Sequence, residues 1–488
     1  MQAWIEVGWP YLSTALAIGL ALAATSHVVL NKRDVSATIG WVGVIWLVPI
    51  LGSLLYGLAG INRIRRRGVE VARDKVKARA SERSASRSLG DAPARIGPLL
   101  CERGDEHLLE LVQLGERISD RPLLDGNRVE LLVDGDEAYP AMIAAIDAAT
   151  RSVTLATYIF DHDSSGEAMI EALARAKARG IEVRVLIDDL GARYSMPPAD
   201  RALRRRGVRA ARFMRLRWPW DLTHFNLRSH RKLLIVDGRV GFTGGMNIRE
   251  GHVLGRAPRH PIRDVHFRVE GPVVRELQEV FAEDWAFSTR EQLEGEAYLP
   301  ALDPCGEAWA RVVSDGPDGD MDRIRWMLAG AMSAARHSIR IVTPYFLPDR
   351  SLLMALRVAA LRGVQVDIVL PEHGNLALLR WAMWAHLSRF ASPPCRFWLS
   401  PAPFDHAKLM LIDDHWSFVG SANWDTRSLR LNFELNLECY DPRLALELRA
   451  LVDARLSASR PITQEELRRR PLWRRLRDGA AWLLSPYL

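Results

Sequence analysis

Two short stretches of this chain repeat each other, and the repeat narrows the possible folds more than any other feature. Ser229-His230-Arg231-Lys232 runs into the apolar Leu233-Leu234-Ile235-Val236 and then Asp237; Asp405-His406-Ala407-Lys408 runs into Leu409-Met410-Leu411-Ile412 and then Asp413. Both read H-x-K-x4-D. Both also lead to a small-residue turn ending in Asn, Gly244-Gly245-Met246-Asn247 and Gly420-Ser421-Ala422-Asn423. Residues two apart in a strand share a face, so each His and Lys should project together. Asp237-Gly238 and Asp413-Asp414 should then reverse the strand into a hairpin, whose return leg brings the Asn back toward the His and Lys. With 13 His in the chain, one such motif arises by chance at about the 0.01 level. Two in matching contexts are a duplication.

Lysine usage points the same way. Of 66 basic residues only six are Lys, and Lys232 and Lys408 are two of them. A chain that writes Arg almost everywhere keeps Lys inside both motifs, where a compact ammonium differs from a planar fork. The surroundings repeat as well. Strand Val153–Phe160, a helix ending at Gly180, strand Ile181–Asp189, a helix to Arg206 and strand Val208–Phe213 precede the first hairpin. Strand Ser338–Phe346, a helix to Gly363, strand Val364–Pro371, helix Asn375–Phe390 and strand Cys395–Ser400 precede the second. After each Asn turn a strand carries an acid, Asp264 in one copy and Glu434 in the other. Alternating strands and helices argue for an α/β layer in each half, and duplication for one composite site between halves about a pseudo-twofold axis.

Imidazole serves as nucleophile or proton donor near neutral pH. Two His, two Lys and two Asn converging from related halves supply one nucleophile, one acid/base and four donors, a set suited to a phosphodiester. Two ammonium groups beside the imidazoles repel a cation, so no metal is expected. The four Cys lie far apart and suggest neither disulfides nor a thiolate site. Asp237 and Asp413, though part of the motifs, sit beyond the strands and suit turn stabilisation better than catalysis. Asp264 and Glu434 are the candidates for orienting the imidazoles.

Gly8–Leu30 and Val35–Ile61 are uncharged stretches of 23 and 27 residues, each long enough to cross a bilayer core of about 30 Å. Ala21-Leu22-Ala23 resembles a cleavage site, but nothing before Gly8 is basic, as a signal peptide requires. Residues 63–95 hold 11 Lys/Arg and 4 Asp/Glu, a net +7 that equals the charge of the whole chain. This basic arm should face the cytoplasm and attract anionic headgroups. The remainder is neutral overall, which argues against a nucleic-acid groove. Two Trp-rich intervals, around Phe213, Leu216, Trp218 and Trp220 and around Leu378, Trp381, Met383 and Trp384, fit either core packing or a lipid-contacting rim. Arg468–Leu488 mixes Arg with Trp and Leu as an interfacial amphipathic helix does.

The paired motifs resemble the phospholipase D superfamily and, within it, the bacterial cardiolipin synthases. The resemblance covers nearly the whole chain. It includes Pro49, Gly52, Tyr56, Asn62, Arg63 and Arg66 in the N-terminal part and Tyr158-Ile159-Phe160 in the first half. In the second half it includes Thr343-Pro344-Tyr345-Phe346, Gly420-Ser421-Ala422-Asn423-x-Asp425-x-Arg427-Ser428 and Asn432-x-Glu434. One departure is Ser229, where the family usually has Asn. The resemblance implies an α/β fold of two phospholipase D-like halves with mixed sheets flanked by helices. A transmembrane helical hairpin (1–61) and a basic arm and linker (62–122) come first. The halves span 123–300 and 301–458, and an amphipathic tail covers 459–488. It further implies phosphatidyl transfer between two phosphatidylglycerol molecules, releasing glycerol, through a phosphohistidine and without metal or cofactor. The alternatives are headgroup hydrolysis or another alcohol acceptor. His230, Lys232, Asp237, His406, Lys408 and Asp413 would form the catalytic motifs, with Asn247 and Asn423 on the substrate phosphate. His230 would be the nucleophile with Asp264 behind it, and His406 the acid then base with Glu434. The partners would be anionic phospholipids and the inner membrane of a bacterial cell, with no nucleic acid. The oligomeric state stays open.

Overall fold

The computed structural model describes residues 2–32, 35–60, 92–119, 121–215, 227–316, 322–390 and 394–485. The basic arm up to residue 91, together with Leu216, Trp218 and Trp220, lies outside them. The described chain divides into two compact units, one N-terminal and one holding both motifs.

The N-terminal unit consists of α1 (Gln2–Asn31), α2 (Val35–Leu47) and α3 (Pro49–Leu55), ending in a wide helical turn at Tyr56–Gly60. Tyr11–Asn31 of α1 is long and apolar enough to cross a membrane. The second apolar stretch pairs with α1, but the expectation that it forms one continuous span is not met. Pro49 has no N–H to give and Val48 sits at φ −141°, so the helix breaks there. α3 then folds back on α2. Gly52 lies so close to α2 that a Cβ would overlap the Val44 carbonyl and stand 2.8 Å from Ile45 Cα. The Tyr56 and Trp41 rings are 5.3 Å apart; in a straight helix residues 41 and 56 would be separated by about 22 Å. Tyr56 Oη meets His27 Nδ1 of α1 at 2.8 Å, and Trp46 Nε1 donates to Thr25 Oγ1 at 3.2 Å. Alone, α2 reaches about 20 Å, short of a bilayer core.

The second unit is built on one 15-stranded sheet. Its strands are β1 (Leu124–Val133), β2 (Ser152–Thr157), β3 (Glu182–Asp188), β4 (Arg209–Phe213), β5 (Leu233–Val236), β6 (Val240–Gly244) and β7 (Val265–Glu270) in the first half. The second half contributes β8 (Ala308–Asp315), β9 (Ser338–Val342), β10 (Gln365–Pro371), β11 (Arg396–Ser400), β12 (Leu409–Ile412), β13 (Trp416–Gly420) and β14 (Glu434–Tyr440), with β15 (Arg460–Pro461) on its edge. Outward from the centre the first half runs β1-β7-β6-β5-β2-β3-β4 and the second β8-β14-β13-β12-β9-β10-β11. The same order is read in both directions from the antiparallel β1–β8 pair, the arrangement a pseudo-twofold axis produces.

Helices α6 (Asp134–Ala148), α7 (Ser164–Ala178), α8 (Ala199–Arg205) and α9 (Val274–Thr289) cover the first half, and α10 (Arg323–Ala334), α11 (Arg350–Leu361), α12 (Ala377–Phe390) and α13 (Pro442–Ala458) the second. The repeat extends to the caps. Asp163 Oδ1 accepts from the N–H groups of Ser165 and Gly166, and Asp349 Oδ1 from those of Ser351 and Leu352. Gly180 and Gly363 end these helices at φ +89° and +96°, where a Cβ is strained. Each half has its own apolar core, around Phe160, Ile187 and Phe242 in one and Ile341, Leu370 and Trp416 in the other. A third cluster, with Phe267, Phe281, Trp285, Leu435 and Leu437, joins them along the central strands.

One boundary shifts. Residues 92–119, read from sequence as linker, fold into α4 (Ala92–Glu102) and α5 (Leu109–Ile118). Ile96, Leu100, Leu111 and Val112 are buried in the second half's core beside Met327 and Ile339.

Both hairpins form as the apolar runs and turn residues dictate. β5 pairs with β6 (Leu233 opposite Thr243) and β12 with β13 (Leu409 opposite Val419). The turn residues are left-handed, Asp237 and Gly238 at φ +54° and +62°, Asp413 and Asp414 at +51° and +58°. Two consecutive aspartates in that region are strained. Asp413 offsets the strain by accepting from the backbone N–H groups of Arg336, His337 and Ser338 at 2.7–2.8 Å, while His107 Nε2 lies 3.0 Å away. Asp237 does the same with Thr150, Arg151 and Ser152. These bonds, with the Thr150 hydroxyl, outweigh burial and hold the Asp237 carboxyl below its ordinary value. Asp413→Ala should therefore cost about 2–4 kcal/mol of stability yet leave turnover per folded molecule within about threefold. Thermal inactivation midpoints alongside activity normalised to folded protein check both halves of that statement.

Candidate active site

The motif histidines sit just before β5 and β12, and each is tied to the opposite half. His230 N–H donates to Phe433 O at 2.9 Å, and Phe433 N–H to Arg228 O at 2.8 Å. Reciprocally, His406 N–H donates to Arg263 O at 2.8 Å, and Phe404-Asp405 pairs in parallel with Ile262-Arg263. Each motif thus runs beside the residues that immediately precede the other half's acid. This corrects the expected pairing of His with the acid of its own half. His230 Nδ1 is 3.1 Å from Glu434 Oε2, and His406 Nδ1 is 2.7 Å from Asp264 Oδ2. The crossing follows from topology: β7 and β14, at whose starts the acids lie, flank the central β1–β8 pair, one on each side.

A carboxylate only accepts, so each Nδ1 carries the proton and each Nε2 keeps its lone pair. His230 Nδ1 also lies 3.0 Å from Ser421 O, another acceptor. Burial pulls both imidazoles below the ordinary histidine value. For His230, Glu434 opposes this and Lys232 adds to it; His406 is lowered further by Lys408, Lys232 and His230 together. Both rings are therefore neutral at rest.

The two acids are not equivalent. Glu434 Oε1 accepts from Ser428 Oγ at 2.5 Å and Asn432 Nδ2 at 3.1 Å, and Oε2 from Ser421 Oγ at 2.6 Å. Burial raises its pKa, but His230, Lys232 and these donors outweigh it, and the carboxyl is held below the ordinary value. Besides His406, Asp264 accepts from the Val265 N–H at 2.8 Å, and burial raises it despite Lys408. Position 245 is Gly where the second half has Ser421. A Cβ there would overlap Asp264 Oδ1, so the first half has no room for the matching hydroxyl.

Lys232 Nζ donates to His230 O at 2.6 Å, and Lys408 Nζ to His406 O, standing 3.0 Å from His406 Nδ1. Burial lowers Lys232 to about 7 and Lys408 to about 8, against the pull of Glu434 and Asp264. Such ammoniums, neighbours of one another and fully desolvated, are completed by an anion. Asn247 Oδ1 accepts from the Ile159 N–H at 3.1 Å, and Asn423 Oδ1 is buried without a partner. The Tyr158 ring lies 5.3 Å from that of His230, and Phe404 lies 6.0 Å from His406.

Asp237 and Asp413 are not brought to this centre. They stand at the far ends of β5 and β12, about 20 Å along the chain from the histidines, and bind the starts of β2 and β9. Sequence reasoning missed Ser421, Ser428 and Asn432 as donors to Glu434. It also missed Arg231, the middle residue of the first motif. Arg231 donates to Asp284 at 2.7 Å and to the carbonyls of Glu434 and Asp315, clamping the two halves together. The only sequence signal was an Arg where the second motif has Ala407.

Duplicated His-x-Lys halves meeting at one desolvated, cationic centre define a phospholipase D-type protein. The family described as cardiolipin synthase, phospholipase D-like domain, matches residues 142–285 and 328–456, and that described as phospholipase D-nuclease N-terminal matches 19–60. The fold resembles that of the phosphatidylserine synthase of Haemophilus influenzae Rd KW20, with a TM-score of 0.61 and 15% identity over 78% of this chain and 100% of that one. The major cardiolipin synthase of Bacillus subtilis strain 168 is 33% identical over 463 residues, covering 94% of this chain and 95% of that protein. A cardiolipin synthase of Listeria innocua serovar 6a is 31% identical over 483 residues, covering 98% and 99%. The chain belongs to the cardiolipin synthase family of the phospholipase D superfamily and is a phosphatidyltransferase of that superfamily.

Proposed function

We propose that this enzyme joins two phosphatidylglycerol molecules by double displacement on His230. The observation that carries the assignment is the set of donors that keeps Glu434 ionised behind His230. His230 Nε2 attacks phosphorus, the P–O bond to glycerol breaks, and protonated His406 delivers its proton to the departing alkoxide. The hydroxyl of a second phosphatidylglycerol then gives its proton to His406 and attacks the phosphohistidine. Cardiolipin forms and His230 is freed. The phosphorylated imidazole is cationic, and ionised Glu434 stabilises it. Asp264 is the weaker anion, suited to a ring that gains and loses a proton within each cycle. His406 is neutral in the empty site, and the bound phosphodiester anion supplies the charge that lets it take up a proton. Lys232, Lys408, Asn247 and Asn423 face the non-bridging oxygens. The test is product analysis on phosphatidylglycerol vesicles containing a trace of water-soluble alcohol. Cardiolipin and glycerol in equal amounts are expected; phosphatidic acid, or an ester of the added alcohol, as the main product would replace this reading with hydrolysis or a different acceptor.

The enzyme associates with membranes, and we place its catalytic unit on the cytoplasmic side. The support is the excess of Lys/Arg at 63–95. With α3 folded back on α2, only α1 crosses. Lys32 and Arg33 then lie on the same side as the arm, as the positive-inside rule favours, and the N-terminus lies on the other. In intact spheroplasts an N-terminal tag should be cleaved by added protease and a C-terminal one protected. Protection of both would restore a two-span hairpin, and cleavage of the C-terminal tag would overturn the orientation.

A further inference from the structure

After the short α14 (Gln464–Arg468), the C-terminal helix α15 (Leu472–Leu483) packs on α12 through paired cation–π stacks. Arg389 lies 3.9 Å from the Trp482 ring, Arg470 4.3 Å from Trp384 and Arg477 4.5 Å from Trp381. The inward side of α15 is completed by Ala481 and by Asp478, which is buried against Arg470 and Arg477. Trp381 and Trp384 thus belong to this seam and not to an open rim. The outward side is different. Leu472, Leu476 and Leu483 are 69%, 65% and 70% exposed and Trp473 is 59% exposed. At 100° per residue the three leucines fall within about 40° of one another. They form one stripe, with no covering element among the described residues.

Two further observations identify what covers it. Arg475 borders the stripe, about 60° from its edge on the helix; it and Arg468 and Arg474 nearby are exposed and without a carboxylate partner among the described residues. The inward side of the same helix packs toward the active site. Ala481 and Trp482 pack with Leu347 and Tyr345, the Tyr345 ring is 6.3 Å from Phe404, and Phe404 is 6.0 Å from His406. Tyr345 Oη donates to Asn375 Oδ1, and the adjoining Leu376 is 50% exposed.

We propose that α15 is a docking helix for the surface of an anionic bilayer: its leucine stripe and Trp473 enter the headgroup–acyl boundary, its arginines bind lipid phosphates, and the active site beside it is thereby held against the membrane. An apolar stripe bordered by Arg is the pattern of helices that lie in the interface plane, and exposed cations beside it gain from anionic lipid. A second copy of this chain would have to bring its own arginines against these, which disfavours it as the occupant.

The proposal rests on the lipid-acting reading of the site, and the experiment separates the two. The full-length protein is placed in nanodiscs of phosphatidylglycerol and phosphatidylcholine whose acyl chains carry bromine near the headgroup. The fluorescence lost on replacing Trp473 by Phe gives the Trp473 signal. Bromine should quench that signal strongly in the parent protein and little in a Leu472→Glu/Leu476→Glu/Leu483→Glu variant, whose changes are all at exposed positions. The variant should lose about tenfold of its turnover on bilayer phosphatidylglycerol and none on a short-chain phosphatidylglycerol dissolved as monomers. An unquenched Trp473 in the parent overturns the docking role, as does a self-association that disappears in the variant while quenching is absent. Equal bilayer turnover by parent and variant overturns the functional part. No turnover of monomeric substrate by the parent would instead sink the catalytic reading and leave the quenching result standing.

Discussion

A nitrophenyl phosphodiester should leave a covalent phosphoryl adduct on His230 in the His406→Asn variant, and in the His230→Asn variant no substrate should leave one. On phosphatidylglycerol both variants should lose about 10⁴-fold or more in turnover, the loss expected when either member of a nucleophile–acid pair is removed. The activated substrate separates their roles. Nitrophenolate is a good leaving group and needs little protonation, so the first step survives without His406. The second step does not, because nothing deprotonates the acceptor, and the adduct accumulates. Low-temperature trapping followed by mass mapping reads the result. An adduct on His406 in the His230→Asn variant would exchange the two roles. No adduct in any form of the enzyme would remove the covalent mechanism.

The crossed pairing yields the second large effect. In the His406→Asn background, Glu434→Gln should slow adduct formation by about 10³-fold, while Asp264→Asn should change it by less than about threefold. Replacing the carboxylate behind a catalytic imidazole costs about 10⁴ in known triads, and the smaller figure here allows for Ser421 O, which still accepts from His230 Nδ1. Asp264 has already lost its partner in that background and has nothing left to orient. Stopped-flow release of nitrophenolate in a single turnover measures both. The mirror-image result, with Asp264→Asn slow and Glu434→Gln normal, would mean that each acid serves the histidine of its own half.

How far the chain could be read in advance depended on whether a feature was local. The hairpins were legible, because short apolar runs ending in Asp237-Gly238 and Asp413-Asp414 leave few alternatives. So were the alternating layers and the helix ends at Gly180 and Gly363. The site residues His230, Lys232, His406 and Lys408 were legible as a group, because the duplication marked them. Which acid meets which ring was not. The two halves are too alike in sequence to show a connection that depends on strand order, and β7 and β14 flank the centre only once the two halves are joined in one sheet. The loss of Asp237 and Asp413 from the site was half legible, since their place beyond the strands already suggested turns. Pro49 inside an apolar run was a visible breaker, yet segment length alone read through it. The burial of α4 and α5 left little trace in a stretch whose neighbours are dominated by basic residues.

The crossing also bears on the order in which a ribosome delivers this chain. His230 is made more than 200 residues before Glu434, and a first half that folds as it emerges holds a bare nucleophile site with no carboxylate behind it. Asp264 is present by then, but the ring it serves has not been made. The incomplete polypeptide therefore has no competent His–acid pair for the phosphodiesters of the membrane beside it. Chemistry begins only when the residues around Phe433 settle against Arg228 and His230, so that closing the two halves together is also what switches the enzyme on.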